Sequence, residues 1–342
     1  MTFHLSALLF LASSSVAPAG ESLAQSLNNM GAHYHEMGQY KDAETLYRQS
    51  LEAWKDVPGD HAASIAKLHG NLGALCRATG RYAEAEKEYA ESLRLAELPL
   101  TLSNAAELYR SEGKYDEAEQ YARKALAAPA DNDRQRADRL NALGAVRRSQ
   151  GQFDEALQLF QEEQQLIKKS LGVDDPLMAN PLGNIAGIYI AQGRYAEAEP
   201  LAQSALALLE KGHGPEHPRV AAGLNNLAQV YRLERRFAEA EPLYRRALSI
   251  WEKAIGPEHP DYARGLVNLA GFYEETGRES AAASLYARAL PVLEKNLGPD
   301  QPEAMKVRDA LAKAYYAQGR RSEAQRLYRN SFTPGPSAEA KP

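Results

Sequence analysis

The chain has 342 residues, of which 44% are hydrophobic and 25% charged, and this composition is that of a folded protein rather than a disordered one. Its net charge of −5 excludes the strongly basic balance expected of a partner for nucleic acid or an anionic membrane. Cys76 is the single cysteine, which excludes an intramolecular disulfide, and we expect it to be a small, inert core residue.

The first 19 residues contain no Asp, Glu, Lys or Arg. An apolar stretch, Leu5 to Leu11, precedes Ala17-Pro18-Ala19, and this order predicts a secretory signal peptide at residues 1–19. Because no lysine or arginine precedes the stretch, an apolar arm packed on the following residues is the alternative. Export would place the protein in the periplasm or outside the cell, and without export it would be cytoplasmic. The stretch is too short to span a bilayer, and no later segment is predicted to span one.

A glycine followed by a basic or amide residue then recurs along the chain, and we call its positions the marks. They are Gly38, Gly80, Gly113, Gly151, Gly193, Arg235 in the equivalent position, Gly277 and Gly319. Five residues after the marks stand Ala43, Ala85, Ala118, Ala156, Ala198, Ala240, Ala282 and Ala324. Successive intervals are 42, 33, 38, 42, 42, 42 and 42 residues, a period that predicts stacked units burying their apolar faces against neighbours. We therefore predict an all-α solenoid at residues 20–332 and a disordered tail rich in Pro, Ser and Ala at 333–342.

One unit, Val220 to Lys253, illustrates the repeat. Its first helix has an apolar face made of Leu224, Leu227, Ala228 and Tyr231. Its second helix is predicted to begin near Phe237 and to bury Ala240, Leu243, Tyr244, Ala247, Leu248 and Ile250 or Trp251. A glycine at the mark suits the C-terminus of the first helix, where a positive φ is often required.

These residues carry a resemblance to a known family. The set Leu227, Ala228, Tyr231, Ala240, Tyr244 and Ala247 resembles the tetratricopeptide repeat. The 42-residue period, with runs such as Leu224-Asn225-Asn226-Leu227-Ala228 and Gly214-Pro215-Glu216-His217-Pro218, is similar to the kinesin-light-chain subtype. The resemblance covers residues 21–332 and implies a right-handed α-solenoid of about eight helix-turn-helix repeats. Two departures are Arg147, which replaces a tyrosine, and the polar eighth repeat, which we interpret as an end cap.

A row of asparagines is the candidate binding site. Nine residues before the marks stand Asn29, Asn71, Asn104, Asn184, Asn226 and Asn268. This position points about 150° away from the centre of the apolar face, and asparagine there costs several tenths of a kcal/mol relative to alanine. The resemblance implies that the row lines the concave surface and holds an extended peptide. Amides that bond to neighbouring helices or face water are the alternative.

Further polar residues flank this row. Asn28, Asn141 and Asn225 come one position earlier, and Lys67, Arg264 and Lys306 come four positions earlier. Arg77, Arg110, Arg148 and Arg232 come six positions later. Of these we include Asn225, Arg232 and Arg264 in the predicted groove. Its charge preference stays open, because Glu107, Asp138 and Glu274 interrupt the basic residues.

No catalytic, metal-binding or cofactor site is predicted. The paired acids Glu84/Glu86, Glu117/Glu119, Glu197/Glu199 and Glu239/Glu241 are predicted to form a solvated outer face. His217 and His259 share their position with Asp175 and Gln301, which indicates helix-start chemistry, and His33 and His35 are expected at the surface. The chain lacks zinc-ligand spacings, nucleotide-binding glycine loops and nucleophile elbows.

The leading hypothesis is a non-catalytic scaffold whose concave groove binds an extended segment of a protein or peptide partner. The partner is not expected to be nucleic acid or a small-molecule substrate. The alternative is a structural or assembly element that self-associates through its convex face or ends. A subunit that positions a separate enzyme is a third possibility.

Overall fold

The computed structural model describes residues 19–37 and 39–329. Residues 1–18 of the predicted signal peptide, the mark Gly38 and the predicted tail lie outside the described residues. Within the described part, all regular structure is helical, with sixteen α-helices and one 3-10 turn. Consecutive helices pair into eight hairpins, which we number as repeats 1 to 8, so the all-α solenoid is confirmed. No helix in this part is both long and apolar enough to cross a membrane.

Repeats 1 to 4 are α1 (Ala19–Glu36) with α2 (Tyr40–Lys55), α3 (Ala62–Ala78) with α4 (Tyr82–Leu95), α5 (Pro99–Ser111) with α6 (Tyr115–Ala127), and α7 (Asp133–Ser149) with α8 (Phe153–Ser170). Repeats 5 to 8 are α9 (Ala179–Ala191) with α10 (Tyr195–His213), α11 (Pro218–Leu233) with α12 (Phe237–Ala254), α13 (Pro260–Glu275) with α14 (Glu279–Leu297), and α15 (Pro302–Ala317) with α16 (Arg321–Arg329). The 3-10 turn Pro176–Met178 precedes α9.

The marks end the first helix of each repeat in a left-handed residue. The described mark glycines have φ between 74° and 78°, and Arg235 adopts φ 62° in the same place. The next residue closes the turn with a backbone bond: the N–H of Arg236 donates to the carbonyl of Tyr231 at 2.8 Å. This six-to-one bond is the Schellman ending of a helix, so the predicted role of the glycines is confirmed.

Replacing Arg235 by glycine is expected to raise the stability of repeat 6 by about 0.5–1 kcal/mol. A left-handed conformation costs an L-residue about 1–2 kcal/mol, and the extra chain entropy of glycine offsets part of the gain. Urea unfolding followed by circular dichroism should show a higher midpoint. A lower midpoint would mean that the contact of Arg235 with the Phe237 ring, at 5.8 Å, outweighs the backbone term.

The same turn explains why a basic residue follows the mark. The six-to-one bond brings that residue beside the tyrosine of the first helix, and its cation lies over the ring. The guanidinium carbons lie 3.9–4.1 Å from the ring centroids in four pairs: Arg194 on Tyr189, Arg236 on Tyr231, Arg278 on Tyr273, and Arg320 on Tyr315. The glycine-basic signature therefore encodes a turn together with a cation–π contact.

The arginine after the mark also links neighbouring repeats. Its guanidinium bonds to a glutamate of the preceding repeat in three pairs: Arg81–Glu44 at 2.8 Å, Arg236–Glu199 at 2.8 Å and Arg278–Glu241 at 2.9 Å. The solvated outer face predicted for the paired acids is therefore wrong for Glu119, Glu199 and Glu241, whereas Glu86 is exposed as predicted. Glu199 and Glu241 are half-buried and bond across the repeat boundary, whereas Glu197 and Glu239 are exposed and pair within their own repeat.

The interior of each hairpin is built as the pattern predicts. Ala228 and Ala240 are 0% exposed, which lets α11 and α12 approach closely, and Tyr244 fills the adjacent space at 1% exposure. Cys76 is buried among Tyr82, Tyr89 and their neighbours, and burial raises the pKa of its thiol to about 11. This environment confirms an inert core thiol.

The solenoid also contacts itself across repeats far apart in sequence. The Nε2–H of His217, before α11, donates to the carbonyl of Glu36 at 2.9 Å. The Nε2–H of His259, before α13, donates to the carbonyl of Ala78 at 2.5 Å. Leu297 packs on the apolar cluster around Cys76. Repeats 1 and 2 thus meet repeats 6 and 7, and we call this junction the seam.

Candidate functional site

A partly open central cavity with two adjoining lobes is lined mainly by the first helices. The seam lobe, about 1020 Å³, is lined by residues of repeats 1, 2, 6 and 7 among others, and the inner lobe, about 570 Å³, by residues of repeats 2 to 6. Arg77, Arg219, Ala222 and Asn226 line both lobes. Since Arg77 belongs to repeat 2 and Arg219 to repeat 6, the seam brings opposite walls of the cavity together.

Three members of the predicted asparagine row face the inner lobe. Asn104 lies on α5, Asn184 on α9 and Asn226 on α11, so three separate repeats contribute an amide to one cavity. None of these three amides makes a side-chain hydrogen bond with another residue of the described chain, and all three are partly accessible. Each can therefore donate and accept at the same time toward a ligand.

The remaining predicted residues lie elsewhere. Asn268 donates to the Oδ1 of Asn225 at 3.1 Å in the seam lobe, and Asn71 donates to the Oδ1 of Asn28 at 2.8 Å outside both lobes. Asn29 lines a separate cavity of about 930 Å³ beside α1. The row is therefore not one uniform line of available amides.

The two arginines of the predicted groove are both engaged in ion pairs. Arg264 lines the seam lobe and bonds to Glu303 at 3.0 Å and to Asp261 at 3.0 Å. Arg232 bonds to Glu275 at 3.0 Å and lines neither lobe.

Another arginine in the inner lobe has no counter-ion. The side chain of Arg148 forms no ion pair or hydrogen bond with the rest of the described residues, and its guanidinium lies so close to Gly187 that a Cβ there would come 2.6 Å from Nη1. Burial lowers the pKa of Arg148 to about 10, with the charge of Arg110 acting in the same direction and that of Glu107 acting against it. The guanidinium thus remains charged at neutral pH and poorly solvated, a state that an anionic group would relieve.

Acidic side chains neutralise part of the cavity wall. Arg110 holds Glu107 in a two-point contact, with nitrogen–oxygen distances of 2.6 and 2.9 Å. Burial alone would raise the pKa of Glu107, but Arg110 and Arg77 hold it well below its usual range. Asp138 also lines the inner lobe, and burial raises its pKa. Arg77, Arg110, Arg148 and Arg219 outnumber Glu107 and Asp138, so the inner lobe is basic.

Sequence reasoning missed Arg219 and the histidines of the seam. His217 and His259 do begin helices as predicted, because each Nδ1 accepts a backbone N–H, from Arg219 and Asp261 respectively. Their second bond, across the seam, was not foreseen. The only signal was the recurrence of histidine before proline at the same place in two repeats. The surface position predicted for His35 is wrong, since it is half-buried in the seam lobe, while His33 is exposed.

No group of three or more His, Cys, Asp or Glu side chains that could hold a metal ion occurs in residues 19–37 and 39–329. The cavity therefore offers amides and guanidinium groups for binding. Its described walls do not assemble a metal centre.

Comparison with solved structures agrees with this architecture. BtubC (BKLC) from P. vanneervenii is 23% identical over 68% of this chain and 96% of its own, with a TM-score of 0.50. Kinesin light chain TPR-like repeats from Podosopora anserina are 28% identical over 58% of this chain and 92% of their own, with a TM-score of 0.46. Rap protein, solved in complex with Competence and Sporulation Factor, is 14% identical over 90% of this chain and 96% of its own, with a TM-score of 0.63.

Comparison with family models covers most of the chain. A model described as Tetratricopeptide repeat matches residues 22–98, 133–211, 177–249, 219–295 and 266–332, and a second of the same description matches residues 101–137. A search of curated proteins found no match. Similar solved structures include kinesin light chain-like repeats. The chain belongs to the tetratricopeptide repeat family.

Proposed function

We propose that the central cavity binds an extended segment of a partner protein, with the inner lobe as the main contact surface. The fold of this chain is generally that of a non-catalytic protein-interaction scaffold. One observation carries the finer proposal: Asn104, Asn184 and Asn226 present unpaired amides from three repeats to the same cavity. An extended peptide offers backbone N–H and C=O groups at regular intervals, which such amides can bind whatever the side chains.

The charge of the inner lobe supports the same proposal. Within the described chain the side chain of Arg148 forms no ion pair or hydrogen bond, and the guanidinium of Arg219 forms no ion pair and hydrogen-bonds to the imidazole of His213, with Nη1 and Nε2 3.3 Å apart. A segment that carries a carboxylate would supply the missing counter-charge in a poorly solvated place. We therefore expect the bound segment to combine an extended backbone with at least one acidic group.

Replacing Asn104, Asn184 and Asn226 together by alanine should weaken peptide binding about 100-fold, because each lost hydrogen bond contributes about 1 kcal/mol. The probe is a set of peptides selected from a random displayed library on the unaltered chain. Their dissociation constants are measured by fluorescence anisotropy on each variant.

The matched control replaces Asn29 and Asn71 by alanine. These residues belong to the same row but line neither lobe, so binding should change less than about threefold. Circular dichroism should show the same helix content in both variants. Unchanged affinity in the triple variant, or an equal loss in the control, would contradict the groove assignment.

Self-association is a second candidate, favoured by one specific observation. Leu23 and Met30 on α1 are 55% and 42% exposed, and Met37, directly after α1, is 53% exposed, at the end of the solenoid. Light scattering at several concentrations separates the two functions. A monomer that binds the selected peptides supports the groove, and a mass that rises with concentration supports assembly through the ends.

A further inference from the structure

Two imidazoles hold the seam together, and both ring nitrogens of each one form a hydrogen bond. In His217, Nδ1 accepts the backbone N–H of Arg219 at 3.1 Å while Nε2–H donates to the carbonyl of Glu36. In His259, Nδ1 accepts the backbone N–H of Asp261 at 3.0 Å while Nε2–H donates to the carbonyl of Ala78. These partners specify the neutral tautomer with its proton on Nε2. A second proton would occupy Nδ1 and point at a backbone N–H, so the charged form cannot keep both bonds.

Histidine is concentrated at this junction. The chain has 8 histidines, and five of them line the seam lobe: His33, His35, His213, His217 and His259. The rings of His213 and His217 are stacked, with centroids 4.5 Å apart. Two adjacent imidazoles in this arrangement would repel each other once both are charged.

Other charged groups around the cluster do not offset added positive charge. The other titratable and charged side chains that line the seam lobe come from several of the elements packed around the histidines. They are Glu36 at the end of α1, Tyr40 on α2, Arg77 on α3, Arg134 on α7, Asp175 before the 3-10 turn, Arg219 on α11, and Asp261 and Arg264 on α13. Four of these are cations and three are carboxylates. The carboxylate of Asp261 lies 3.8 Å from Nδ1 of His259 and favours its charged form, but Arg264 is also bonded to Asp261.

Burial opposes protonation throughout the cluster. Burial lowers the pKa of His35 and of His213 to about 4, assisted by Arg77 and Arg219 respectively. Burial also lowers the pKa of His217 and of His259, although each gains a bond to a carbonyl that works in the opposite direction. All four shifts therefore favour proton uptake when these rings become exposed to water.

We propose that the seam is a pH-operated closure of the central cavity, shut when His217 and His259 are neutral and opened when they are protonated. Opening separates repeats 1 and 2 from repeats 6 and 7 and gives lateral access to both lobes, while each helical hairpin keeps its own packing. An imidazole with a lowered pKa stabilises the closed form fully above about pH 6.5 and loses that contribution as the pH falls toward its folded value.

Two substitutions separate the two bonds that each histidine makes. An asparagine oxygen can replace Nδ1 in capping the helix, as Asn132 does at α7, but the side chain is too short to cross the seam. A glutamine amide has the reach of Nε2 and can donate across the seam without titrating, and Gln301 already occupies the equivalent position before α15. The variants His217→Asn/His259→Asn and His217→Gln/His259→Gln are therefore a matched pair.

The experiment measures the distance across the seam by pulsed electron resonance on the full chain. Spin labels are placed at Lys41→Cys and Glu216→Cys, two exposed positions on opposite sides of the seam, in a Cys76→Ala background. The unaltered seam should give a short distance at about pH 7.5 and one longer by about a helix diameter, 10 Å or more, at about pH 5. The Asn pair should give the long distance at both values, and the Gln pair the short distance at both.

Three results would overturn the closure. The first is a distance in the unaltered seam that does not change with pH, and the second is a Gln pair that opens in acid or an Asn pair that stays closed. The third is a loss of helical circular dichroism at the acidic value, which would indicate unfolding rather than separation of repeats.

A second variant tests the close approach without any titration. A Cβ at Gly80 would come 2.6 Å from Cδ of Pro260 across the seam, whereas nothing lies within 4 Å of one at Gly193. Both glycines are marks, with φ of 75° and 74°, so alanine has the same backbone cost at either position. Gly80→Ala should give the long distance at about pH 7.5, and Gly193→Ala the short one. If both variants keep the short distance, the closure fails.

Discussion

Replacing Arg147 by alanine is expected to destabilise repeat 4 by about 3 kcal/mol, one of the two largest effects we predict. Arg147 is only 6% exposed, yet it occupies the position where other repeats place a tyrosine. Its guanidinium bonds to both carboxylate oxygens of Glu119 in the preceding repeat, at 2.9 and 3.1 Å, and also to Gln150 and Gln152. Alanine would leave a cavity and remove these bonds together.

The structure shows why an arginine is accepted there. Repeat 4 has Gln152 after its mark instead of a basic residue, so the stacked tyrosine and arginine of other repeats are both absent. Arg147 instead extends its own guanidinium from the first helix to Glu119. It thus forms the same link between repeats that Arg236 forms with Glu199. In repeat 4 the link is therefore made from the first helix instead of from the residue after the mark, and this is an exchange of positions.

This exchange provides the control. The double variant Arg147→Tyr/Gln152→Arg restores the pattern of repeats 5 to 8 and should come within about 1 kcal/mol of the unaltered chain, because it regains both the stack and the ion pair. Urea unfolding, with amide hydrogen exchange in α7 and α8, measures both variants. If Arg147→Tyr alone restores full stability, the link to Glu119 contributes little and our explanation of the exchange is wrong.

Replacing Glu163 by glutamine should stabilise repeat 4 by several kcal/mol above about pH 8, at about 1.4 kcal/mol for each unit of pKa shift removed. Glu163 is 1% exposed on α8, at a position where other repeats have serine or alanine. Burial raises the pKa of its carboxyl to about 8, with Asp138 acting in the same direction, while a bond from Asn141 acts against it. Glutamine keeps the shape and the contact with Asn141 without a charge.

The direction of the pH dependence follows from that shift. A carboxyl whose pKa is higher in the folded chain binds more protons folded than unfolded between about pH 4.5 and pH 8. The contribution of protonated Glu163 to the stability of the folded chain is therefore fully present below about pH 4.5. It is lost as the pH rises through the pKa of the folded chain, about 8. The histidines of the seam act with the opposite sign, because their stabilisation is lost as the pH falls.

Measuring the difference between the unaltered chain and Glu163→Gln at each pH separates the two effects, since the histidines are common to both. The advantage of the glutamine variant should grow from near zero in acid to its full size above about pH 8. Hydrogen exchange of the backbone amides in α7 and α8 measures this stability advantage within repeat 4, because repeats can unfold separately. An advantage independent of pH would mean that Glu163 titrates normally.

The repeated hairpin could be predicted because its determinants are local. The marks, the alanines five residues later and the tyrosine four residues earlier all act within about 40 residues, and a helix ending at Gly193 or Arg235 needs only its own turn. Burial of Ala228, Ala240 and Tyr244 followed directly from helical periodicity. The asparagine row was likewise visible, since its spacing matches the period.

The sequence could not predict which amides of that row are unpaired and so available to a ligand. Asn184 and Asn268 occupy the same position in their repeats, yet the first faces the inner lobe unpaired and the second bonds to Asn225. The preceding first helix carries an asparagine one position earlier in both cases, but Asn141 donates to Glu163 whereas Asn225 accepts from Asn268. Which partner such an amide meets depends on how neighbouring helices pack, which periodicity does not specify.

The sequence by itself determined the repeat, its turns, its core and the absence of a recognisable catalytic motif. Only the tertiary structure decided that repeats 1 and 2 meet repeats 6 and 7, and hence that the two sides of the groove are joined at a junction with histidines. The physical reason is that each hairpin contacts only its neighbours through local packing, while closure depends on small rotations summed over five successive interfaces. No single repeat encodes that sum.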